Sequence, residues 1–242
     1  MTSFKTRIRS KSKESGRIIL ANDYDTETNA LESKTLKNIT TLHKYLCAIK
    51  LNFHLLLPLG KKEINKITKT AHSYGLEVIA DIKLNDIGNT NLVTTQRLWD
   101  LGFDAVIANP IMGIDSLKQL ISNSHKTNHG VITLCHMSAP SAKYAYELDV
   151  KQEKKKVYQI FLEWALNQKA DGIIVGATYP DVIKYCKSQA KNKLDIYSPG
   201  VGTQGGQASE VINAGSDFLI VGRTILNAKN PLDTTKKLSI QS

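Results

Sequence analysis

Val78-Ile79-Ala80-Asp81-Ile82-Lys83-Leu84-Asn85-Asp86 begins as an apolar run and ends in alternating charges. A short run rich in Ile and Val, without strict alternation, reads as a strand buried on both faces of a parallel sheet. Seven further runs share its character, at 18–21, 47–51, 105–108, 131–134, 172–175, 194–197 and 218–221. Helical patterns lie between them. Ile64, Ile67 and Ala71 precede Gly75, placed as a C-cap, and Leu92, Gln96 and Trp99 precede Gly102. Leu117, Leu120 and Ile121 follow Asp115, an expected N-cap, and Val157, Ile160, Phe161, Trp164 and Ala165 form a 3.6-residue stripe. Eight βα repeats in a chain of 242 residues predict one α/β domain over residues 17–242, a (β/α)8 TIM barrel. A doubly wound open sheet is the alternative.

Apolar residues make up 41% and charged residues 22% of the chain, an ordinary globular balance. The formal net charge is +10, which raises nucleic acid, a membrane surface or an anionic substrate as partners. Its location decides among them. Lys5, Arg7, Arg9, Lys11, Lys13 and Arg17 against Glu14 give residues 1–17 a net +5, and the stretch 151–156 (KQEKKK) adds +3. Residues 1–16 therefore read as a basic N-terminal arm, and 151–156 as the solvated start of a helix. No aromatic-interleaved basic stripe and no RRM, KH or zinc-finger spacing accompanies them, so no nucleic-acid partner is expected. No apolar stretch approaches the ~18 residues of a membrane span, and no apolar segment follows the basic N-terminus. Neither a membrane partner nor a signal peptide is expected. Cys47, Cys135 and Cys186 lie far apart with no CxxC spacing, which fits free thiols in a reducing cytoplasm.

In a barrel of parallel strands, chemistry gathers at the C-terminal strand ends and in the loops after them. There Asp81 and Lys83, two apart in an extended chain, share a face. Asp86 follows in the loop, and Lys50 sits near the end of the second run. Such alternating charges in a partly dry site perturb one another's ionisation and can aim an ammonium at a carbon where negative charge develops. A structural ion-pair network is the alternative, but desolvating four charges for packing alone is costly. After the seventh run, Pro199-Gly200-Val201-Gly202-Thr203-Gln204-Gly205-Gly206 offers backbone N–H groups, and Gly222-Arg223 after the eighth adds a guanidinium. Together they read as a phosphate cradle, beyond a mere glycine-rich turn. Asp23 after the first run and His136-Met137-Ser138 after the fifth complete the rim. His136 is read equally as a ligand-facing or a structural side chain. His125 and His129 are four apart, but the stretch Lys126-Thr127-Asn128-His129 reads as a polar loop and there is no HExxH pattern, so no metal site is expected from them. Trp99, Trp164 and Tyr158 lie on helical stripes and are assigned to the core.

The stretch from Asp81 to Thr90, DIKLNDIGNT, resembles the DxKxxDIxNT signature of the orotidine 5′-phosphate decarboxylase family. The similarity continues in order over residues 17–228, through Asp23, Lys50, Met137-Ser138, PGVGTQGG and IVGR. Two positions depart from the pattern. Asn22 stands where the family usually has an apolar residue before its aspartate, and Ala139 replaces a histidine that often follows the serine.

The resemblance implies conversion of orotidine 5′-monophosphate to uridine 5′-monophosphate (UMP) and CO2, the last step of UMP biosynthesis, with no cofactor and no metal. It implies Lys83 as cation and proton donor, held by Asp81 and Asp86, with Lys50 orienting Asp81. Asp23 and Lys50 are expected near the ribose hydroxyls, Ser138 at the pyrimidine edge, and Gln204, Gly222 and Arg223 at the phosphate. Pro199, Ile87 and Thr90 join the substrate-binding set. The 86–90 segment is implied to reach into a partner subunit, giving a homodimer with shared sites. Related metal-dependent sugar-phosphate decarboxylases and synthases carry a similar DxKxxD, and they form the nearest alternative. Ile87, Thr90 and Met137-Ser138 favour the pyrimidine substrate.

Overall fold

The structure, a computed structural model, describes residues 2–24 and 30–241. Eight strands close into an all-parallel barrel: β1 (Ile18–Ala21), β2 (Ala48–Asn52), β3 (Glu77–Leu84), β4 (Ala105–Ala108), β5 (Gly130–His136), β6 (Gly172–Val175), β7 (Asp195–Pro199) and β8 (Phe218–Val221). Consecutive strands pair, and β8 returns to β1 with Ile18 opposite Leu219. Each apolar run thus becomes a strand, with ends within two residues of those expected. Every residue of β1, β4, β6 and β8 is buried, because the barrel interior covers one face and the helices the other. Among the described residues no helix is long and apolar enough to cross a membrane.

The basic N-terminal stretch forms helix α1 (Phe4–Ser15), capped by Ser3 Oγ, which accepts from Thr6 N. Its one buried edge is Phe4 and Ile8, one turn apart and fully covered. Phe4 enters the barrel wall where β5 begins with Gly130, at which a Cβ would overlap the phenyl ring. The cations of α1 meet carboxylates at the N-terminal strand ends. Arg7 donates to Glu77 through Nε at 2.9 Å and Nη2 at 2.8 Å, and to Asp104 at 3.3 Å. Arg9 donates to Asp195 at 3.0 Å. Burial pushes the Glu77 carboxyl up to about 7, against the opposing pull of the Arg7 guanidinium.

A repeated device pins this end of the barrel. Asp104, Asp171 and Asp217 each precede a strand and accept a backbone N–H from the strand before, at Val78, Val131 and Ile196, over 2.7, 2.8 and 2.9 Å. Each also faces a cation or imidazole: His72 for Asp104, His125 for Asp171 and Lys187 for Asp217. His125 therefore lies in the last turn of the helix Ile114–Lys126, not in a loop, and His129 stacks on Trp99 at 4.1 Å between ring centres. The 151–156 stretch is not a helix start. Residues 151–154 form the turn of a two-stranded hairpin that pairs Asp149–Val150 with Lys155–Lys156, and the helix begins after it at Val157–Asn167. Gly113, not Asp115, caps the helix Ile114–Lys126, and Asp115 lies in its first turn, where its charge suits the helix dipole.

Candidate active site

The C-terminal strand ends surround a cavity of about 440 Å³. Its polar floor is Asp81, near the end of β3, with little of its side chain exposed. Lys50 Nζ, from β2, donates to Asp81 Oδ2 at 2.8 Å, and Lys83 Nζ donates to Oδ1 at 2.8 Å. Burial pushes the Asp81 carboxyl up, but the two ammonium groups outweigh that and hold it below the usual carboxylate range. Lys50 is almost wholly buried and is also held by Asp23 Oδ1 at 3.4 Å and by Asn52 Oδ1. An ammonium has three protons, and these three acceptors account for all of them. Lys83, by contrast, is 41% exposed, lines the cavity and, among the described residues, bonds only Asp81.

The local backbone explains the difference. The β3–β4 register shifts between Ala80 and Leu84, and Lys83 takes a left-handed φ of +45°. The bulge turns the lysine out of the regular pleat and toward the opening. Asp86 lies beyond the end of β3 at Leu84, and an odd number of residues from Asp81 and Lys83, so alternation does not put it on their face. Asp86 is exposed, lies outside the cavity lining, and accepts from Ile87 N at 2.7 Å. Asp81, Lys83, Lys50 and Asp23 are brought together; Asp86, Ile87 and Thr90 are not part of this cavity.

Ser138, Pro199, Gln204, Gly222 and Arg223 all line the cavity. The Ser138 segment is fastened from behind. His136 is fully buried and its Nδ1–H donates to Met137 O at 2.8 Å, which makes it a structural side chain. Thr178 Oγ1 donates to Ser138 O at 2.9 Å, and Tyr179 OH donates to Ala139 O at 2.8 Å. Gly176, after β6, lets this segment approach, because a Cβ there would lie 2.5 Å from Ser138 Cα. Opposite, the 200–206 loop folds on itself through Gly202 N to Gly206 O at 2.7 Å. Thr224 ties the loop to the Arg223 turn: its hydroxyl donates to Val201 O at 3.1 Å and accepts from Thr203 N at 3.0 Å. The glycine-rich loop and Arg223 therefore form one rim of the cavity.

Asn52, His54, Thr203 and Thr224 line the cavity without having been singled out in the sequence. Asn52 stands two residues beyond Lys50, so strand alternation alone places it on the same face. Thr224 adjoins Arg223, but its role depends on the loop conformation, which sequence spacing does not encode. Among the described residues no group of three or more His, Cys, Asp or Glu side chains is arranged to hold a metal ion. Both Asp81 oxygens are already occupied by ammonium groups.

The model of the orotidine 5'-phosphate decarboxylase / HUMPS family matches residues 16–238. The chain belongs to this family. It is 34% identical to the orotidine 5'-phosphate decarboxylase of Pyrococcus abyssi over 91% of this chain and 96% of that one. It is 35% identical to the Thermococcus kodakarensis enzyme of the same name, over 93% and 96%. The crystal structure of the Methanocaldococcus jannaschii orotidine 5'-monophosphate decarboxylase, complexed with the inhibitor BMP, superposes with a TM-score of 0.77 at 29% identity, covering 93% of this chain and 97% of that one. Within the decarboxylase family, then, the matched region contains the whole barrel and every cavity residue described above.

Proposed function

We propose that the protein decarboxylates orotidine 5′-monophosphate to UMP and CO2 without a cofactor, in the cytoplasm. The observation that carries this reading is Asp81 bracketed by two ammonium groups, one locked and one free toward the cavity. Breaking the bond from C6 to the carboxylate leaves its electron pair on C6, in the ring plane and outside the π-system. Charge that cannot delocalise must be met by a fixed cation, and Lys83 supplies it. The Lys83 ammonium then gives its proton to C6, and the neutral amine recovers one from solvent. Lys50 holds Asp81 in place, and Asp81 holds the Lys83 ammonium at the cavity.

The remaining lining divides by chemistry. Asp23 and Lys50 suit ribose hydroxyls, Ser138 the polar edge of the pyrimidine, and Gln204, Gly222 and Arg223 the phosphate, with Pro199 packing beside them. Binding energy gathered at the phosphate lies far from C6 and is available to order the 200–207 loop over the substrate. Asp86, Ile87 and Thr90 belong in this reading to a second copy's cavity. Ile87 is 64% exposed and Ile111, after β4, 66% exposed, two large apolar side chains left uncovered at the same mouth. A homodimer that covers them would carry Asp86 across to the partner.

The test is to add orotidine 5′-monophosphate to the protein in EDTA and follow the nucleotide's ultraviolet absorbance as it becomes UMP. Turnover that survives EDTA supports the reading. Turnover abolished by EDTA and restored by a divalent cation overturns it in favour of the metal-dependent sugar-phosphate branch.

A further inference from the structure

The two residues flanking Asp23 are fastened to a single side-chain amide. Helix α2 (Leu31–Leu42) follows β1, and its Asn38 donates one Nδ2 hydrogen to Asn22 Oδ1 and the other to Tyr24 OH, each over 2.7 Å. Asn22 in turn donates through Nδ2 to Thr35 Oγ1 at 2.7 Å, and the Thr35 hydroxyl donates to Leu31 O at 2.6 Å. Asn22 and Thr35 are fully buried. The backbone N–H of Asn22 donates to Lys50 O at 3.0 Å, so the same residue also fixes β1 to β2 beside the catalytic lysine. Lys34, one turn before Asn38, lies over the Tyr24 ring at 5.5 Å. Burial pushes the Tyr24 phenol up, which leaves its oxygen neutral and able to accept from the amide.

Alternation along an extended chain explains the arrangement. Asn22 and Tyr24 turn outward to α2, and Asp23 between them turns into the cavity, where it meets Lys50. An apolar residue at 22 would pack against α2 but give no directional hold. Asparagine there converts a greasy contact into a hydrogen-bonded one of fixed geometry, and Asn38 completes it on the far side of Asp23.

We propose that Asn38 is a positioning residue for Asp23, acting through Asn22 and Tyr24 to hold that carboxylate at the ribose end of the cavity. The inference rests on the decarboxylase reading above. Asn38 touches neither the cavity nor the Asp81–Lys83 pair, so its effect falls on substrate binding and not on the bond-breaking step.

The experiment is a kinetic double-mutant cycle on the full-length protein with orotidine 5′-monophosphate. Asn38→Ala is expected to raise KM roughly tenfold, equivalent to about 1.4 kcal/mol, with kcat within about twofold of wild type. In an Asp23→Ala background the same substitution is expected to change KM by less than about twofold, because the group it positions is gone. Tyr24→Phe removes one of the two anchors while keeping the ring; it gives a smaller rise in KM that also vanishes without Asp23, and it serves if Asn38→Ala folds poorly. An unchanged KM in both single variants, or an equal rise with and without Asp23, overturns the proposal. If the wild-type protein itself fails to turn the nucleotide over, the decarboxylase reading falls instead, so the two failures are distinguishable.

Discussion

At the N-terminal mouth of the barrel, Glu77, Asp104 and Asp195 meet the guanidiniums of Arg7 and Arg9, which α1 lays across the opening. At the C-terminal mouth, Asp81 meets the ammonium groups of Lys50 and Lys83 around an open cavity. Both ends bury carboxylates and neutralise them. The choice of cation separates them. A guanidinium stays charged and binds both carboxylate oxygens in a planar fork, which suits a permanent closure. An ammonium is a point charge on a flexible stem that can give up a proton, which suits chemistry. The closed end also carries a single-turn hydrophobic plug, while the open end leaves Lys83 partly exposed on a strained backbone.

Replacing the labile cation tests this contrast most severely. Lys83→Ala is expected to lower kcat by at least ~10³-fold, since the proposed mechanism makes Lys83 both the cation facing C6 and the proton donor. Lys83→Arg is expected to fail nearly as badly, because it keeps a charge but not a transferable proton. UMP binding by calorimetry is expected to survive in both. Near-wild-type turnover in either variant would show that the proton comes from elsewhere.

At the closed end the expected losses are in stability. Phe4→Ala empties a fully buried site and is expected to destabilise by about 3–5 kcal/mol in urea titrations. Turnover per folded molecule is expected to stay unchanged; a large fall in kcat would mean that the two mouths are coupled. Arg7→Ala strands two poorly exposed carboxylates and is expected to cost about 2–4 kcal/mol. Adding Glu77→Gln should restore part of it, and a further loss on that addition would contradict the pairing.

The contrast between the mouths also explains what the sequence revealed. Strands covered on both faces produce unbroken apolar runs, so all eight were legible. The Asp81–Lys83 pair was legible because its two-residue spacing survives into the bulge. Asp86 lies three residues further on, past the φ of +45° at Lys83, and alternation no longer reports where it points. Helix α1 was read as an arm because its buried edge is only Phe4 and Ile8 among cations, too little periodicity to register. Its signal lay elsewhere. Asp104, Asp171, Asp195 and Asp217 stand at or just before strands, and that many carboxylates at one end of a barrel require basic partners. The two N-terminal arginines, Arg7 and Arg9, are thus internal complementarity and not a surface for an outside anion.

Arg223 tests the assignment of the remaining rim. Arg223→Ala is expected to weaken binding of the phosphorylated nucleotide by about 2–3 kcal/mol, read as a rise in KM with a smaller change in kcat for the unphosphorylated nucleoside. An unchanged KM would move the phosphate away from the Arg223 rim.

The smallest effect distinguishes the mouths by the sign of their pH dependence. Hydrogen bonding to Asp104 raises His72, and hydrogen bonding to Asp171 raises His125, each from an ordinary value of 6.5. A group raised in the folded state contributes fully below its unfolded value and loses that contribution as pH rises through the folded one. These pairs therefore weaken from about neutrality upward; the raised Glu77 also loses stability as pH rises, but over the lower window from 4.5 to about 7. Asp81 is held below its ordinary 3.8, so its contribution is present above that value and is lost as pH falls through the lowered one. The Asp81 contribution is complete above about 3.8, and the imidazole contributions are complete up to about 6.5. Melting temperatures taken from pH 5 to 9 are expected to decline on the alkaline side, and His72→Gln with His125→Gln to flatten part of that decline. The imidazoles are 42% and 39% exposed, so solvent screening limits each to under about 1 kcal/mol. Parallel profiles for wild type and the double variant would mean that neither imidazole gains charge from its aspartate, and the closed mouth would then rest on the arginines, the Lys187–Asp217 pair and the plug.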